Sequence, residues 1–154
     1  MGDPLSVSAS IAGLITLTEL IVSRGYEFVK RVKNAKAEIS QLLAEITALY
    51  GVLQSLGLVA VRFQGDQYNT ALQLDHLQTC HTLVDTIRVH LKIALPGDSD
   101  GRWRAAGKLL RWPLAAADTK GLIEDVERHK ATLSLALNTD GLYVKDLLIE
   151  SLRC

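Results

Sequence analysis

Apolar residues recur at three- and four-residue steps along most of the chain, the spacing of helices that bury one face. Leu5, Val7, Ile11, Leu14, Ile15, Ile21, Val22, Tyr26, Val29 and Val32 trace the first stripe and predict a helix over about 5–33. Leu17 and Leu20 fill its other side, so the first half is apolar almost all round. Such a helix is either deeply buried or meant for lipid. Ser6 or Ser8 offers a cap for its start.

Ile39, Leu42, Leu43, Ile46, Leu49, Tyr50, Leu53 and Leu56 form the cleanest stripe and predict a second helix over 36–60. Gly57 and the run Gln64-Gly65-Asp66 stand at or after its end, where glycine and turn residues stop helices. A third helix is expected over 69–95, on Leu72, Leu77, Cys80, Val84, Ile87, Leu91 and Ala94. The breaker run 96–101, Pro-Gly-Asp-Ser-Asp-Gly, follows it. A fourth helix, 117–138, faces inward through Leu122, Val126, Leu133 and Leu137. Asn138-Thr139-Asp140-Gly141 reads as a turn or kink before a short last helix, 142–152, with Val144, Leu147, Leu148 and Leu152 facing in. No period-two strand pattern is sustained anywhere. Long amphipathic helices joined by short connections predict one all-α domain over 1–154, an up-and-down four-helix bundle with a short extra C-terminal helix.

Composition agrees: 27 Leu and 16 Ala against 3 Pro favour helix. Lys+Arg and Asp+Glu both total 17 in the 154 residues, so the formal net charge is zero. A dedicated nucleic-acid binder would be basic, so no nucleic-acid partner is expected. Two cysteines, Cys80 and Cys154, make no disulfide framework and fit a reducing compartment such as the cytoplasm. The start has neither a basic leading segment nor a small-residue cleavage site, so no secretory signal is expected. Met1-Gly2-Asp3-Pro4-Leu5-Ser6 matches the myristoylation pattern formally, but the acidic Asp3 makes it a poor match.

Catalytic motifs are absent: no phosphate loop, dinucleotide fingerprint, nucleophile elbow or metalloprotease helix is present. His76, Cys80, His81 and His90 are the nearest to a metal constellation. They lack a second ligand cluster, and Cys80 falls on the apolar stripe, so no metal or cofactor is expected. Asp118, Glu124, Asp125 and Glu127 are interspersed with Lys120, Arg128 and Lys130, the pattern of a solvated face with local ion pairs. The chain is expected not to be an enzyme.

The N-terminal helix is more informative. Glu19 is the lone charge between Asp3 and Arg24. Twenty helical residues span about 30 Å, the thickness of a hydrocarbon core. Ser6, Ser8, Ser10, Thr16, Thr18 and Glu19 make the stretch too polar for a plain constitutive span. After it, Arg24, Lys30, Arg31, Lys33 and Lys36 stand against one acid, Glu27. Such a cluster suits anionic lipid headgroups, or equally a solvated helix end whose cations complement the helix dipole. A second basic stretch, Arg102, Arg104, Lys108 and Arg111, is interleaved with Trp103 and Trp112. This pairing suits either an interface or a tryptophan plug at one end of the bundle.

The opening 3–15, Asp-Pro-Leu-Ser-Val-Ser-Ala-Ser-Ile-Ala-Gly-Leu-Ile, resembles the N-terminal HeLo-like domain of fungal STAND proteins, the NOD-like signalling ATPases with NACHT and ankyrin regions. Val32-Lys33-Asn34-Ala35, Arg111-Trp112-Pro113-Leu114 and the stretch 127–137, Glu-Arg-His-Lys-Ala-Thr-Leu-Ser-Leu-Ala-Leu, extend the resemblance in order along nearly the whole chain. It implies a helical-bundle programmed-cell-death effector similar to the killer domain of the necroptosis pseudokinase. In that group a C-terminal nucleotide-binding sensor region, here expected outside these residues, oligomerises after recognising a ligand. The bundle then releases its first helix into the plasma membrane and permeabilises it. The helix carrying Leu5, Val7, Ile11, Leu14, Ile15, Leu17, Glu19, Leu20, Ile21 and Val22 is accordingly expected to insert. Arg24, Lys30, Arg31, Lys33 and Lys36 are expected to meet lipid headgroups, with self-association on activation. The alternative is a helical interaction module that recruits a downstream partner without touching lipid.

Overall fold

The computed structural model describes residues 4–32, 36–62, 74–91, 93 and 112–153. Side chains are described for the same residues except 4–6, 36, 61, 62, 74 and 140–147. Four long helices make up almost all of them: α1 Pro4–Arg31, α2 Lys36–Arg62, α3 Leu74–His90 and α4 Ala116–Arg153. No strand occurs among the described residues. The molecule is an all-α bundle.

Each helix buries a stripe with alternating steps of three and four. On α1 the buried positions are Val7, Ile11, Leu14, Thr18, Ile21, Gly25, Phe28 and, just past its end, Val32, with Leu17 beside them. On α2 they are Ile39, Leu42, Ile46, Leu49, Leu53 and Leu56, with Leu43 beside them. On α3 they are Leu77, Cys80, Val84, Ile87 and the following Leu91. A mean step of 3.5 is the period that keeps one seam facing a neighbour along the full length of both helices. On α4 the buried positions are Thr119, Ile123, Val126, Leu133 and Ala136, and the half-buried Lys130 lies on the same stripe. Its Nζ donates to Glu45 Oε2 of α2 at 2.6 Å, with both side chains largely covered. The pair thus satisfies a charge that would be costly alone.

α1 lies between α2 and α3, α2 lies between α1 and α4, and α3 closes the ring against α4. Chain direction alternates from helix to helix. Gly25 meets Leu43 and Gly57 meets Ile15, which makes α1 and α2 antiparallel. Phe28, His90 and Trp112 meet at one end, which makes α1 and α3 parallel neighbours. In the simplest up-and-down bundle every neighbour would be antiparallel. Here α2 and α3 sit on a diagonal. Eleven residues, 63–73, separate them, against four, 32–35, between α1 and α2. At about 3.3–3.6 Å per extended residue, eleven residues easily reach across a bundle whose helices lie 8–10 Å apart.

Several expected boundaries move. α1 already includes Pro4, so Ser6 and Ser8 are helical residues rather than caps. Proline suits a first turn, whose N–H has no intrahelical partner. α2 continues through Gly57 to Arg62. A Cβ there would come within 3.1 Å of Ile15 Cδ1, so the glycine serves close approach to α1 rather than termination. The expected turn at Asn138-Thr139-Asp140-Gly141 is helical, and the separate helix 142–152 is the continuation of the 38-residue α4. The Thr139 hydroxyl donates to the Leu135 carbonyl at 2.9 Å, so it bonds its own helix instead of breaking it. Leu148 and Leu152, expected to face in, are exposed, Leu152 by 85%. Expected residues 69–73 and 94–95 of the third helix, Gln64-Gly65-Asp66, the 96–101 run and the Arg102–Arg111 stretch with Trp103 lie outside the described residues.

Trp112 plugs the end of the bundle where α1 and α3 finish. It is buried, edge-on to Phe28 at 6.3 Å and to His90 at 6.0 Å. Its Nε1–H donates to Thr119 Oγ1 at 2.6 Å, and that hydroxyl in turn donates to the Ala115 carbonyl at 3.2 Å. At the same end Arg88 is buried, donating from Nε to Asp85 Oδ1 at 2.7 Å and from Nη1 to the Ile93 carbonyl at 2.8 Å. It ties the chain leaving α3 to the helix it has left.

Two measurements test this packing. Leu49 is fully buried, so Leu49→Ala should cost about 2–5 kcal/mol in denaturant unfolding, from lost transfer energy and an imperfectly filled cavity. Burial pushes the Cys80 thiol up from its usual 9.0 to about 12. The thiolate is the reactive form, so Cys80 should resist alkylation at pH 8 in the native protein and react on unfolding. With a folded pKa above the unfolded one, its contribution to stability is complete below pH 9 and lost between about 9 and 12. Cys80→Ala should remove that part of the alkaline loss.

Candidate functional site

The expected insertion helix is α1, and the bundle holds its apolar stripe inside. Val7, Ile11, Leu14, Leu17 and Ile21 are buried. Ile15, Leu20 and Val22 are half-buried against the same core. Leu5 is helical, with its side chain outside the described set. Glu19 is exposed, as expected for a lone carboxylate on a helix packed into an apolar core. Arg24, five residues further on, lies 3.9 Å from Glu27.

Of the basic cluster, Arg24, Lys30 and Arg31 are exposed near the end of α1. Lys30 and Arg31 occupy its last turn, where they complement the partial negative charge of the helix terminus. Lys33 and the Lys36 side chain lie outside the described residues.

The outer surfaces of α1 and α2 differ from those of α3 and α4. From Val7 to Ser23 the exposed positions of α1 are Ala9, Ala12, Gly13, Thr16, Glu19 and Ser23. No exposed position of α2 between 37 and 60 carries a charge. Sequence reasoning missed α2, although its signal was present: Glu38 and Glu45 are the only charges between 37 and 60. Both helices are long and apolar enough to cross a membrane, Val7–Arg31 with 25 residues and Ala37–Ala60 with 24, and only a third of each apolar window is buried.

Their polar side chains are largely satisfied within the helix. The hydroxyl of Thr16 donates to the Ala12 carbonyl at 3.0 Å, and that of Thr18 to the Leu14 carbonyl. Ser23 donates to Leu20 at 3.1 Å, Thr47 to Leu43 at 2.7 Å, and Ser55 to Gly51 at 3.1 Å. A hydroxyl already bonded to its own backbone costs less to move into an apolar medium than a free one. Thr16 and Thr18, two of the residues that made α1 look too polar, therefore weigh less against it.

α3 and α4 flank a groove of about 460 Å³. Gln78, Thr79, Thr82 and Leu83 line it from α3, and Asp125, Arg128 and His129 from α4. Burial lowers the His129 pKa from its usual 6.5; Asp125 opposes that shift, while Arg128 and His76 add to it. The suggested metal residues diverge: Cys80 is in the core, His76 and His81 are exposed, and His90 lies on Trp112. Among the described residues no three His, Cys, Asp or Glu side chains gather as metal ligands would.

No curated protein and no solved structure matches the chain. A family model does, over residues 2–152: pigment biosynthesis cluster protein PigL, N-terminal. That match spans nearly the whole sequence and the whole bundle, and the chain belongs to the PigL N-terminal family.

Proposed function

We propose that this member of the family is a HeLo-like signalling module without catalytic activity, which on activation self-associates and brings its N-terminal helix into an anionic membrane. The observation that carries the reading is the surface of α1. Over Val7–Ser23 its outer face bears one charge, its inner face is wholly apolar apart from the self-bonded Thr18, and the basic residues Arg24, Lys30 and Arg31 follow at once. A soluble bundle usually keeps charge on the outer faces of its helices. An apolar stretch followed by a basic end matches a hydrocarbon core followed by anionic headgroups, each basic residue near the surface contributing about 1 kcal/mol. The trigger belongs to a C-terminal nucleotide-binding sensor region, and the module rests in the cytoplasm and acts at the plasma membrane to permeabilise it in programmed cell death.

The second reading, a module that recruits a protein partner, draws on the end of α4. Leu148, Ile149 and Leu152 are exposed there on one helical turn. The two readings separate in a flotation assay. Reversing Lys30, Arg31, Lys33 and Lys36 to Glu together should abolish flotation with anionic vesicles while helicity is retained. Salt should weaken wild-type binding, because exposed charges are screened over about 8 Å at physiological ionic strength. Flotation unchanged by the fourfold reversal would remove lipid contact from the basic end and favour the recruiting module.

Glu19 supplies a further test. In a membrane assembly a carboxylate on α1 avoids lipid by lining a water-filled interior, where a ring of them favours cations. Glu19→Gln should fold normally, since the residue is exposed at rest, and should lower cation flux or cation preference across vesicles. Flux and selectivity both equal to wild type would exclude a pore-lining role.

A further inference from the structure

We infer that lipid is met not by α1 alone but by the apolar inner face of α1 and α2 held together as one pair, uncovered when the bundle opens along the α3–α4 groove. This rests on the membrane-targeting reading above and names the surface that reading requires.

Two glycines let the pair approach closely. Gly25 leaves space filled by Leu43, and Gly57 leaves space filled by Ile15 and Ile11. Close backbone approach at glycine is packing that persists in lipid, because it relies on van der Waals contact rather than on exclusion of water. Parting α1 from α2 would empty both spaces. Only four residues, 32–35, separate the two helices in sequence, and each is long enough to cross a bilayer. The inner positions of both are uncharged from Val7 to Phe28 and from Ile39 to Leu56. The one acid beside that face, Glu45, is neutralised by Lys130 of α4, which packs on α2 and travels with it.

The opposite joint is the weakest. α3 and α4 make the sparsest contact of the four neighbouring helix pairs, and six of the seven side chains lining the groove between them are polar. Nor do these groups bond across it. Thr79 donates to the Asp75 carbonyl and Thr82 to the Gln78 carbonyl, both within α3. Arg128 pairs with Asp125 at 3.3 Å within α4. Opening there leaves α3 on α1 and α4 on α2, and exposes the core as a continuous apolar surface with Lys30 and Arg31 at one end.

The test bridges each joint in turn, in a Cys80→Ala, Cys154→Ser background of the full chain. Thr79→Cys with Asp125→Cys, joined by a short bis-maleimide linker, locks the groove. Ile15→Cys with Gly57→Cys, joined as a disulfide, locks α1 to α2. Helicity and flotation with phosphatidylcholine–phosphatidylserine vesicles are measured for each, and the unbridged form of each double variant shows that the substitutions themselves are tolerated. The groove lock should weaken vesicle binding by about tenfold or more, and the α1–α2 lock should leave it within about twofold of the unbridged form. Loss of binding on locking α1 to α2 would overturn the inference in favour of α1 released alone. Binding that survives both locks would also overturn it, since the closed bundle would then hold the lipid surface. A wild-type chain that does not float at all would overturn it together with the membrane reading.

Discussion

Where α1 meets α2, two glycines let the backbones approach, and Leu43 and Ile15 fill the space that a Cβ at either glycine would need. That close, antiparallel contact fixes the register of the longest apolar stripes in the chain. With α1 and α2 set, α3 has one apolar surface to cover beside α1, and α4 has one beside α2. The Glu45–Lys130 pair then fixes the height of α4 on α2, because it ties a half-buried lysine on the inner stripe of α4 to an acid of α2. The ring closes last and most loosely, through the polar groove between α3 and α4.

This hierarchy has a consequence for stability. Most buried side chains lie on α1, α2 and the faces of α3 and α4 turned toward them. The groove contributes little, so local opening there costs far less than global unfolding. At the far end of α1 and α3, by contrast, Trp112, Phe28, His90, Thr119 and Arg88 interlock by ring contacts and hydrogen bonds. An element that must stay folded and still change its exposed surface needs such an uneven distribution: firm joints that persist and one weak joint that gives.

The same sequence can suit water and lipid because polarity on α1 and α2 is local. Thr16, Thr18, Ser23, Thr47 and Ser55 give their hydroxyl hydrogens to carbonyls of their own helix. All but the buried Thr18 help to keep the resting surface wet, and none demands a partner from the surroundings. The exposed alanines and glycines of both helices add neither charge nor bulk.

Periodicity alone determined that the chain is helical, where the four stripes run and which side of each is buried, because burial repeats with the helical turn whatever the neighbours are. It placed the core of α2 residue by residue and the burial of Val7, Ile11, Leu14 and Ile21 on α1. It misread positions whose meaning depends on a partner. Gly57 looked like a stop and is a contact; Asn138 to Gly141 looked like a break and continues a helix; Leu148 and Leu152 looked like core and are exposed beyond it. Lys130 gave no sign in one dimension that it would sit on a buried stripe, since its partner Glu45 is 85 residues away. Tertiary structure alone decided that α2 and α3 lie on a diagonal and that α3 and α4 part around a groove, and it resolved in favour of the plug the choice the sequence left open for Trp112. A stripe specifies that a face must be covered, and any apolar face satisfies it equally; which helix covers it is set by glycine contacts, paired charges and the reach of the connections.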